Sequence, residues 1–356
     1  MKSITFIAAG LSGGGIEKAF SSLANHLSSR GYEISAILLF QSEHFYKLDG
    51  NIKVIEPEIY RQDYNKYIYA LKTIPYLRKG IRRFNPDVIL SYGEWFNPFV
   101  ILSTRGLGIP IYISDRMSPT LKLGFVQDTA KKILYRFADG IMAQTSYAKD
   151  LIFSRTGSNN IKVIPNPVNV IEKMDLPVEN QIVSVGRLSR EKGHAILIKA
   201  FHEIKNKEWK LHIIGDGKER HFLEKLVEEL ELNSRVNFHG HKRNFSKILS
   251  QSRIFILPSL SEGFPNALIE AMSVPLACIS SDCVAGPSDI IKHRKNGILV
   301  PPNNVIALAR TIDMLIEDEN LQNQISREAF RVREELKFEK IADTILSFIG
   351  KEKPKA

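Results

Sequence analysis

Apolar and polar positions along this chain follow two periods in turn. Short apolar-rich runs bounded by turn residues recur at 3–9, 32–40, 52–56, 87–92, 110–115, 139–145 and 161–165, and runs of this length read as strands buried on both faces. Between most of them, apolar residues return at helical spacing. The first helix is well marked: Ile16, Phe20, Leu23, Ala24 and Leu27 share a face, and Gly31 closes it. Such alternation predicts parallel strands with helices packed on both sides.

The series breaks at Pro165-Asn166-Pro167-Val168 and resumes beyond Asp175-Leu176-Pro177, so the prolines predict a linker. Beyond it, strands are expected at 181–186, 210–215, 236–239, 253–258 and 276–280, with helices at 194–205, 218–231, 245–251 and 266–273. The expected fold class is α/β, with two Rossmann-like, doubly wound domains at 1–168 and 178–335 facing a central cleft. In sheets of this kind, ligands bind beyond the carboxyl ends of the strands.

Composition adds limits. Apolar residues make up 44% and charged residues 25%, enough to bury real cores. The longest apolar runs are strand-sized, so no membrane-spanning helix is expected. The chain opens on the strand-like Ser3-Ile4-Thr5-Phe6-Ile7-Ala8, without the regions of a signal peptide. Its two cysteines, Cys278 and Cys283, lack metal-type spacing, which suits a reduced, cytoplasmic setting.

The net charge of +10 is uneven: residues 1–170 hold 21 Lys and Arg against 13 Asp and Glu. No nucleic-acid-binding pattern accompanies it, so nucleic acid is not an expected partner. The stretch from Lys66 to Arg83 places Lys72, Arg78, Lys79, Arg82 and Arg83 beside Tyr67, Tyr69, Ile74, Tyr76 and Leu77. It reads either as an interfacial helix on an anionic membrane or as a solvated helix face.

Three segments carry candidate chemistry, each between a strand and a helix. Gly13-Gly14-Gly15-Ile16-Glu17 opens the first helix, where glycines admit close approach and the helix start favours an anion. It matches neither the dinucleotide fingerprint nor a Gly-Lys-Ser phosphate loop, which disfavours a dehydrogenase. Val185-Gly186-Arg187-Leu188-Ser189-Arg190-Glu191-Lys192-Gly193 offers Arg187 and Lys192 as cations for a diphosphate leaving group. The third runs from Pro258 to Glu270. The backbone amides of the turn Gly263-Phe264-Pro265-Asn266, from Gly263 to Asn266, are expected to form an anion site at the helix start, framed by Glu262 and Glu270. Carboxylates at such places suit sugar and ribose hydroxyls, since they accept hydrogen bonds from vicinal diols.

Taken in order, Gly-Gly-x-Glu, Val-Gly-Arg-Leu…Lys-Gly, Gly-Asp-Gly (215–217), Val-x-Phe-x-Gly (236–240), Ser-Glu-Gly-Phe-Pro-x-x-x-x-Glu and Asn-Gly-Ile-Leu-Val (296–300) resemble family 4 of the glycosyltransferases, with the GT-B fold. The resemblance spans about Ile4 to Ile316. It implies a retaining hexosyltransferase with a nucleotide-sugar donor. The first domain would take the acceptor, the second the donor, and a helix at 338–350 would cross back onto the first. Glu270 would hold the donor ribose and Glu262 the sugar hydroxyls. Arg187 and Lys192 would stabilise the diphosphate without a metal, and no cofactor is expected. Gly14 and Gly15 would approach the diphosphate from the first domain. Lys242, in His241-Lys242-Arg243, would lie in the segment against the base.

Where many relatives place a histidine after the strand Pro110–Ser114, this chain has Asp115-Arg116-Met117-Ser118-Pro119. That sequence resembles a subgroup handling N-acetylhexosamines, N-acetylgalactosamine prominently, in bacterial polysaccharide or lipid-linked oligosaccharide assembly. Asp115 would orient the sugar or the acceptor and Arg116 contact phosphate or the acyl amide; alternatively the two form an ion pair. The expected donor is a UDP-sugar, and the acceptor a glycan or lipid-linked glycan at the inner face of the cytoplasmic membrane. A UDP-sugar epimerase of the same fold and a non-catalytic nucleotide-sugar-binding protein are the rivals.

Overall fold

The apolar runs form strands because each is shielded on both faces: Ile4–Ala8, Val88–Tyr92 and Ala277–Ser281 are buried at every position. The computed structural model describes residues 1–12, 15–116, 121, 123–242 and 244–350. These divide into two compact units. The first comprises Met1–Gln144, Ala148–Ile164 and the described residues from Ala342 on; the second comprises Thr145–Tyr147 and Pro165–Ile341.

The first unit holds β1 (Ser3–Ala8), β2 (Glu33–Leu38), β3 (Lys53–Ile55), β4 (Val88–Tyr92), β5 (Ile111–Asp115), β6 (Gly140–Ala143) and β7 (Ile161–Val163). They pair in parallel in the order β3-β2-β1-β4-β5-β6-β7. Helices α1 (Gly15–Ser29), α2 (Lys66–Phe84), α3 (Asn97–Thr104), α4 (Phe125–Leu134) and α5 (Ser146–Thr156) connect them. In α1, Phe20, Leu23, Ala24 and Leu27 are buried as their spacing predicts, and Gly31 ends the helix with a φ of 83°.

The stretch read as an interfacial helix or a solvated face is α2, and part of its apolar face is already used, while Ile68 and Leu71 stay exposed. Tyr69, Leu77 and Ile81 are buried in the unit, and Tyr76 Oη lies 3.0 Å from the carbonyl oxygens of Leu38 and Ile55. Arg78 is also engaged, donating to the carbonyls of Ser103 and Arg105 at 2.8 and 2.9 Å. Amphipathicity here belongs to the sheet, and Lys72, Lys79, Arg82 and Arg83 form the solvated face.

The second unit repeats the winding with β8 (Gln181–Val185), β9 (Lys210–Ile214), β10 (Val236–Phe238), β11 (Ile254–Leu257), β12 (Ala277–Ser281) and β13 (Ile298–Val300). Their order is β10-β9-β8-β11-β12-β13, again parallel. Helices α6 (His194–Glu203), α7 (Arg220–Glu229), α8 (Ser246–Gln251), α9 (Asn266–Met272), α10 (Pro287–Ile290), α11 (Val305–Glu317), α12 (Glu319–Ala329) and α13 (Val332–Glu335) cover it. Two apolar cores sandwich the sheet, one around Leu197, Phe201 and Ile312, the other around Phe255, Leu268 and Met272. Strand β13 and helices α10 and α13, of three or four residues each, fall outside the expected elements.

The proline-rich segment has no regular structure, yet it lies along the second unit. Asn166 and Asn169 reach Asn266 and Glu270 at 2.9 Å each, and the amide of Val168 donates to the carbonyl of Leu336 at 2.9 Å. The last helix, α14 (Phe338–Ile349), begins in the second unit and ends in the first. There Asp343 pairs with Arg30, and Phe348 meets Tyr112 edge-on at 5.4 Å.

In both sheets the strand order reverses once, between β1 and β4 and between β8 and β11. The carboxyl ends at such switch points open a crevice for a ligand.

Candidate active site

The motif segments after β8 and β11 flank the switch point of the second unit. Glycines lock the backbones together there. A Cβ on Gly215 would lie 1.8 Å from the carbonyl oxygen of Gly186, and one on Gly193 would lie 2.1 Å from that of Pro258. Both positions have positive φ, 146° and 67°, so each needs glycine for conformation and for space. The amide of Leu260 donates to the carbonyl of Glu191 at 2.8 Å and ties one loop to the other.

Within this frame Lys192 Nζ donates to Glu262 Oε1 at 2.7 Å, and Ser259 Oγ donates to the same oxygen at 2.7 Å. Glu262 is 7% exposed, so its charge requires such partners. The two residues come from loops 70 positions apart. Glu262 also acts on Cys283, whose thiol is pushed up to about 12 by burial with the carboxylate's help. A thiol held so is not a nucleophile.

Arg187 is exposed on the same loop. The Ser189 hydroxyl, 2.6 Å from Glu191 Oε1, holds the Glu191 carboxyl below its ordinary range, with the charges of Arg187 and Lys192 helping. Glu270 stands on α9, half-buried, and accepts from Asn169 Nδ2. The expected row of amides from Gly263 to Asn266 is shorter than its motif suggested. Pro265 has no N–H, and the Asn266 amide turns back onto the carbonyl of Phe264 at 3.0 Å, which leaves Gly263 and Phe264 as donors. Lys242 is exposed near His239 and helps burial lower that imidazole's pKa. Arg243 lies outside the described residues.

Sequence reasoning missed His194, the first residue of α6. It is 2% exposed, and among the described residues neither ring nitrogen has a hydrogen-bond partner. Burial, with the charge of Lys192 added, lowers its pKa to about 4. Its position directly after Lys192-Gly193 was the available signal.

The first unit's switch point is built differently. Gly14 lies outside the described residues. Gly15 opens α1 with nothing within 4 Å of an added Cβ. At the carboxyl end of β5, Asp115 forms an ion pair with Lys131, whereas Arg116 donates to Ser114 Oγ at 3.0 Å and stands 5.3 Å from the Tyr92 ring centroid. Met117, Ser118 and Pro119 lie outside the described residues. Beside this pair, Asn97 Nδ2 donates to the Ser114 carbonyl at 3.0 Å and reaches Tyr135 Oη at 3.4 Å. Burial raises the Tyr135 hydroxyl well above its ordinary pKa, and the charges of Asp115 and Glu94 add to it. Glu94, two residues past β4 and 1% exposed, was also missed; the Gly93-Glu94 step after a strand was its only trace.

Comparison with known proteins gives concordant results. The family model described as Glycosyltransferase Family 4 matches residues 13–172, and that described as Glycosyl transferases group 1 matches 172–332. Among curated proteins, the GalNAc-alpha-(1->4)-GalNAc-alpha-(1->3)-diNAcBac-PP-undecaprenol alpha-1,4-N-acetyl-D-galactosaminyltransferase of Campylobacter jejuni is 29% identical over 99% of both chains. Among solved structures, the lipopolysaccharide outer core galactosyltransferase WaaB superposes with a TM-score of 0.80 at 24% identity, covering 98% of this chain and 99% of that one. Anabaena Alr3699/HepE in complex with UDP gives 0.79 at 17% identity, covering 98% and 99%.

Proposed function

This chain belongs to the family 4 glycosyltransferases of the GT-B fold, and from that premise we propose that it moves an N-acetylhexosamine, N-acetylgalactosamine favoured, from a UDP-sugar to a glycan or lipid-linked acceptor. The setting is bacterial polysaccharide or glycoconjugate assembly, and configuration at the anomeric carbon is retained. The observation that carries the reading is the part-buried Lys192–Glu262 pair at the second switch point. The N-acetylgalactosaminyl activity named for the Campylobacter relative supports the sugar, and the UDP in the HepE complex supports the nucleotide.

In this reading Lys192 turns from Glu262 toward the diphosphate as donor binds, and Arg187 joins it. The bond from the anomeric carbon to the diphosphate oxygen breaks, and the acceptor oxygen bonds to that carbon on the same face. The acceptor's proton passes to the departing phosphate oxygen. Cations fixed where charge develops lower the barrier without reorganising in the step. Glu262 accepts from the sugar hydroxyls and Glu270 from the ribose, and the amides of Gly263 and Phe264 face the phosphates. Gly186 and Gly15 leave room for them. No metal takes part.

Among the described residues no helix is long and apolar enough to cross a membrane. We place the enzyme peripherally on the cytoplasmic membrane face, with the solvated cations of α2 toward anionic lipid. Co-sedimentation with anionic vesicles that is unchanged on neutralising Lys79, Arg82 and Arg83 rules out α2 as the contact.

The central test is a melting-temperature panel of UDP, GDP and their sugars in chelator. A ligand bound only by the folded state raises the midpoint. UDP is expected to raise it and UDP-N-acetylgalactosamine to raise it further. A response to GDP-sugars alone overturns the donor, and a response that requires added metal overturns the metal-free step.

A further inference from the structure

Two cavities in the first unit share a wall. One, of about 530 Å³, opens among α2, α3 and the start of α4, lined by Phe40, Tyr69, Trp95, Phe96 and Phe125, with Arg61 the single charged residue of its lining among the described residues. The other, of about 660 Å³, runs between α4 and α5 and holds Asp115, Asp128, Lys131, Lys132 and Arg155. Gly124 and Phe125 line both.

The charges in the second cavity do not cancel. Asp115 is tied to Lys131, and Asp128 Oδ1 accepts from the Leu123 amide at 3.3 Å. Lys132 and Arg155 are exposed and enter no ion pair among the described residues. The shared ridge is apolar and open: Phe125 is 86% exposed and Val126 54%. Large apolar side chains left in water beside a pocket mark a binding surface.

We propose that these cavities bind one amphiphile, a single-chain lipid phosphate or diphosphate. Its apolar chain lies in the aromatic pocket, and its phosphates lie against Lys132 and Arg155, with Phe125 between. One apolar pocket calls for one chain, and the unpaired cations next to it call for an anionic head. Asp115, at the wall of the cationic groove, then faces whatever group the phosphate carries. This deepens the reading of the acceptor as lipid-linked and rests on it.

Farnesyl diphosphate, below its micelle concentration and without donor, is the probe. Trp95 reports on the pocket, while the other tryptophan, Trp209, is buried in the second unit's core and supplies a constant background. A saturable blue shift of emission is expected, absent in Trp95→Phe. Lys132→Glu with Arg155→Glu is expected to weaken binding about tenfold or more, and Phe125→Asp to weaken it as well. Farnesol is expected to bind more weakly and to ignore the charge reversal. Equal affinity for farnesol, full displacement by equimolar inorganic pyrophosphate, or a shift that tracks self-association in sedimentation each overturns the proposal. The UDP-induced melting shift is read on the same samples, so a parent chain that binds UDP but shows no saturable lipid binding overturns this inference and leaves the transferase reading standing.

Discussion

The two switch points share a topology but are built from different materials. In the second unit the site is a backbone construction. Gly193 and Gly215 admit carbonyl oxygens at distances no side chain allows, and the loops so joined hold Lys192 against Glu262. In the first unit the site is made of side chains: Glu94, Asn97, Asp115, Lys131 and Tyr135, gathered from two strand ends and two helices. A backbone site tolerates few residues at its key positions, whereas a side-chain site can be assembled in many ways. On the proposed reading, the second unit takes the nucleotide and the first the acceptor, and the two constructions suit a fixed and a variable ligand respectively.

The largest effects are expected at the backbone-built site. Lys192→Ala and Glu262→Ala should each lower turnover on UDP-sugar by about a thousandfold or more, the scale of removing a preorganised charge partner. Unaltered circular dichroism is the control. Near-normal turnover in both would show that the pair is structural and that the comparison has its active side wrong. Next comes stability. Gly215→Ala should lower unfolding free energy by about 3 kcal/mol or more, since both φ and space forbid the methyl group. Gly15→Ala, with open space and a helical position, should stay within about 1 kcal/mol of the parent. Denaturant melts of the two variants decide whether backbone locking is confined to the second unit.

The same contrast explains what could be read from the sequence. Twelve of the strands fall where apolar runs predicted them, because strands buried on both faces leave continuous apolar stretches. The second unit's candidate site was legible because conformation and close approach demand glycine at Gly193, whose neighbour in sequence is Lys192. The first unit's cluster was not. Asp115 and Lys131 lie sixteen residues apart on different elements, and nothing in either neighbourhood announces the pair. His194 was hidden for another reason: a histidine at helical spacing among apolar residues looks like core, and it is buried. Sequence reading offered an ion pair with the adjacent Arg116 as one alternative for Asp115, and it did not foresee the pairing with Lys131.

That buried histidine sets a smaller effect with a definite sign. Its pKa is lowered from 6.5 to about 4 in the folded protein, so the unfolded chain binds the proton more readily. Its contribution to stability is present above pH 6.5 and is lost as pH falls toward 4. Roughly 3 kcal/mol follows from a shift of this size. His194→Leu should flatten the pH dependence over this window while leaving stability at pH 7 close to the parent. His212, lowered to about 4 by burial and by His239 beside it, supplies a slope that remains. An unflattened profile in His194→Leu would mean that the ring gains a partner in solution.

The smallest effect is expected in the side-chain-built site, and it is the sharpest probe of the comparison. Asp115→Asn keeps the size and the hydrogen-bonding oxygen but removes the charge that Lys131 neutralises. If Asp115 orients the acceptor, KM for acceptor should rise about tenfold, near 1.4 kcal/mol, while KM for the UDP-sugar and the UDP-induced melting shift stay unchanged. Lys131→Met should reproduce much of the loss, because it leaves a buried carboxylate without its cation. Asn at position 115 should partly relieve Lys131→Met in the double variant, since there is then no charge to leave unpaired. A change confined to donor KM would assign Asp115 to the sugar and would make the first unit a partner in donor binding.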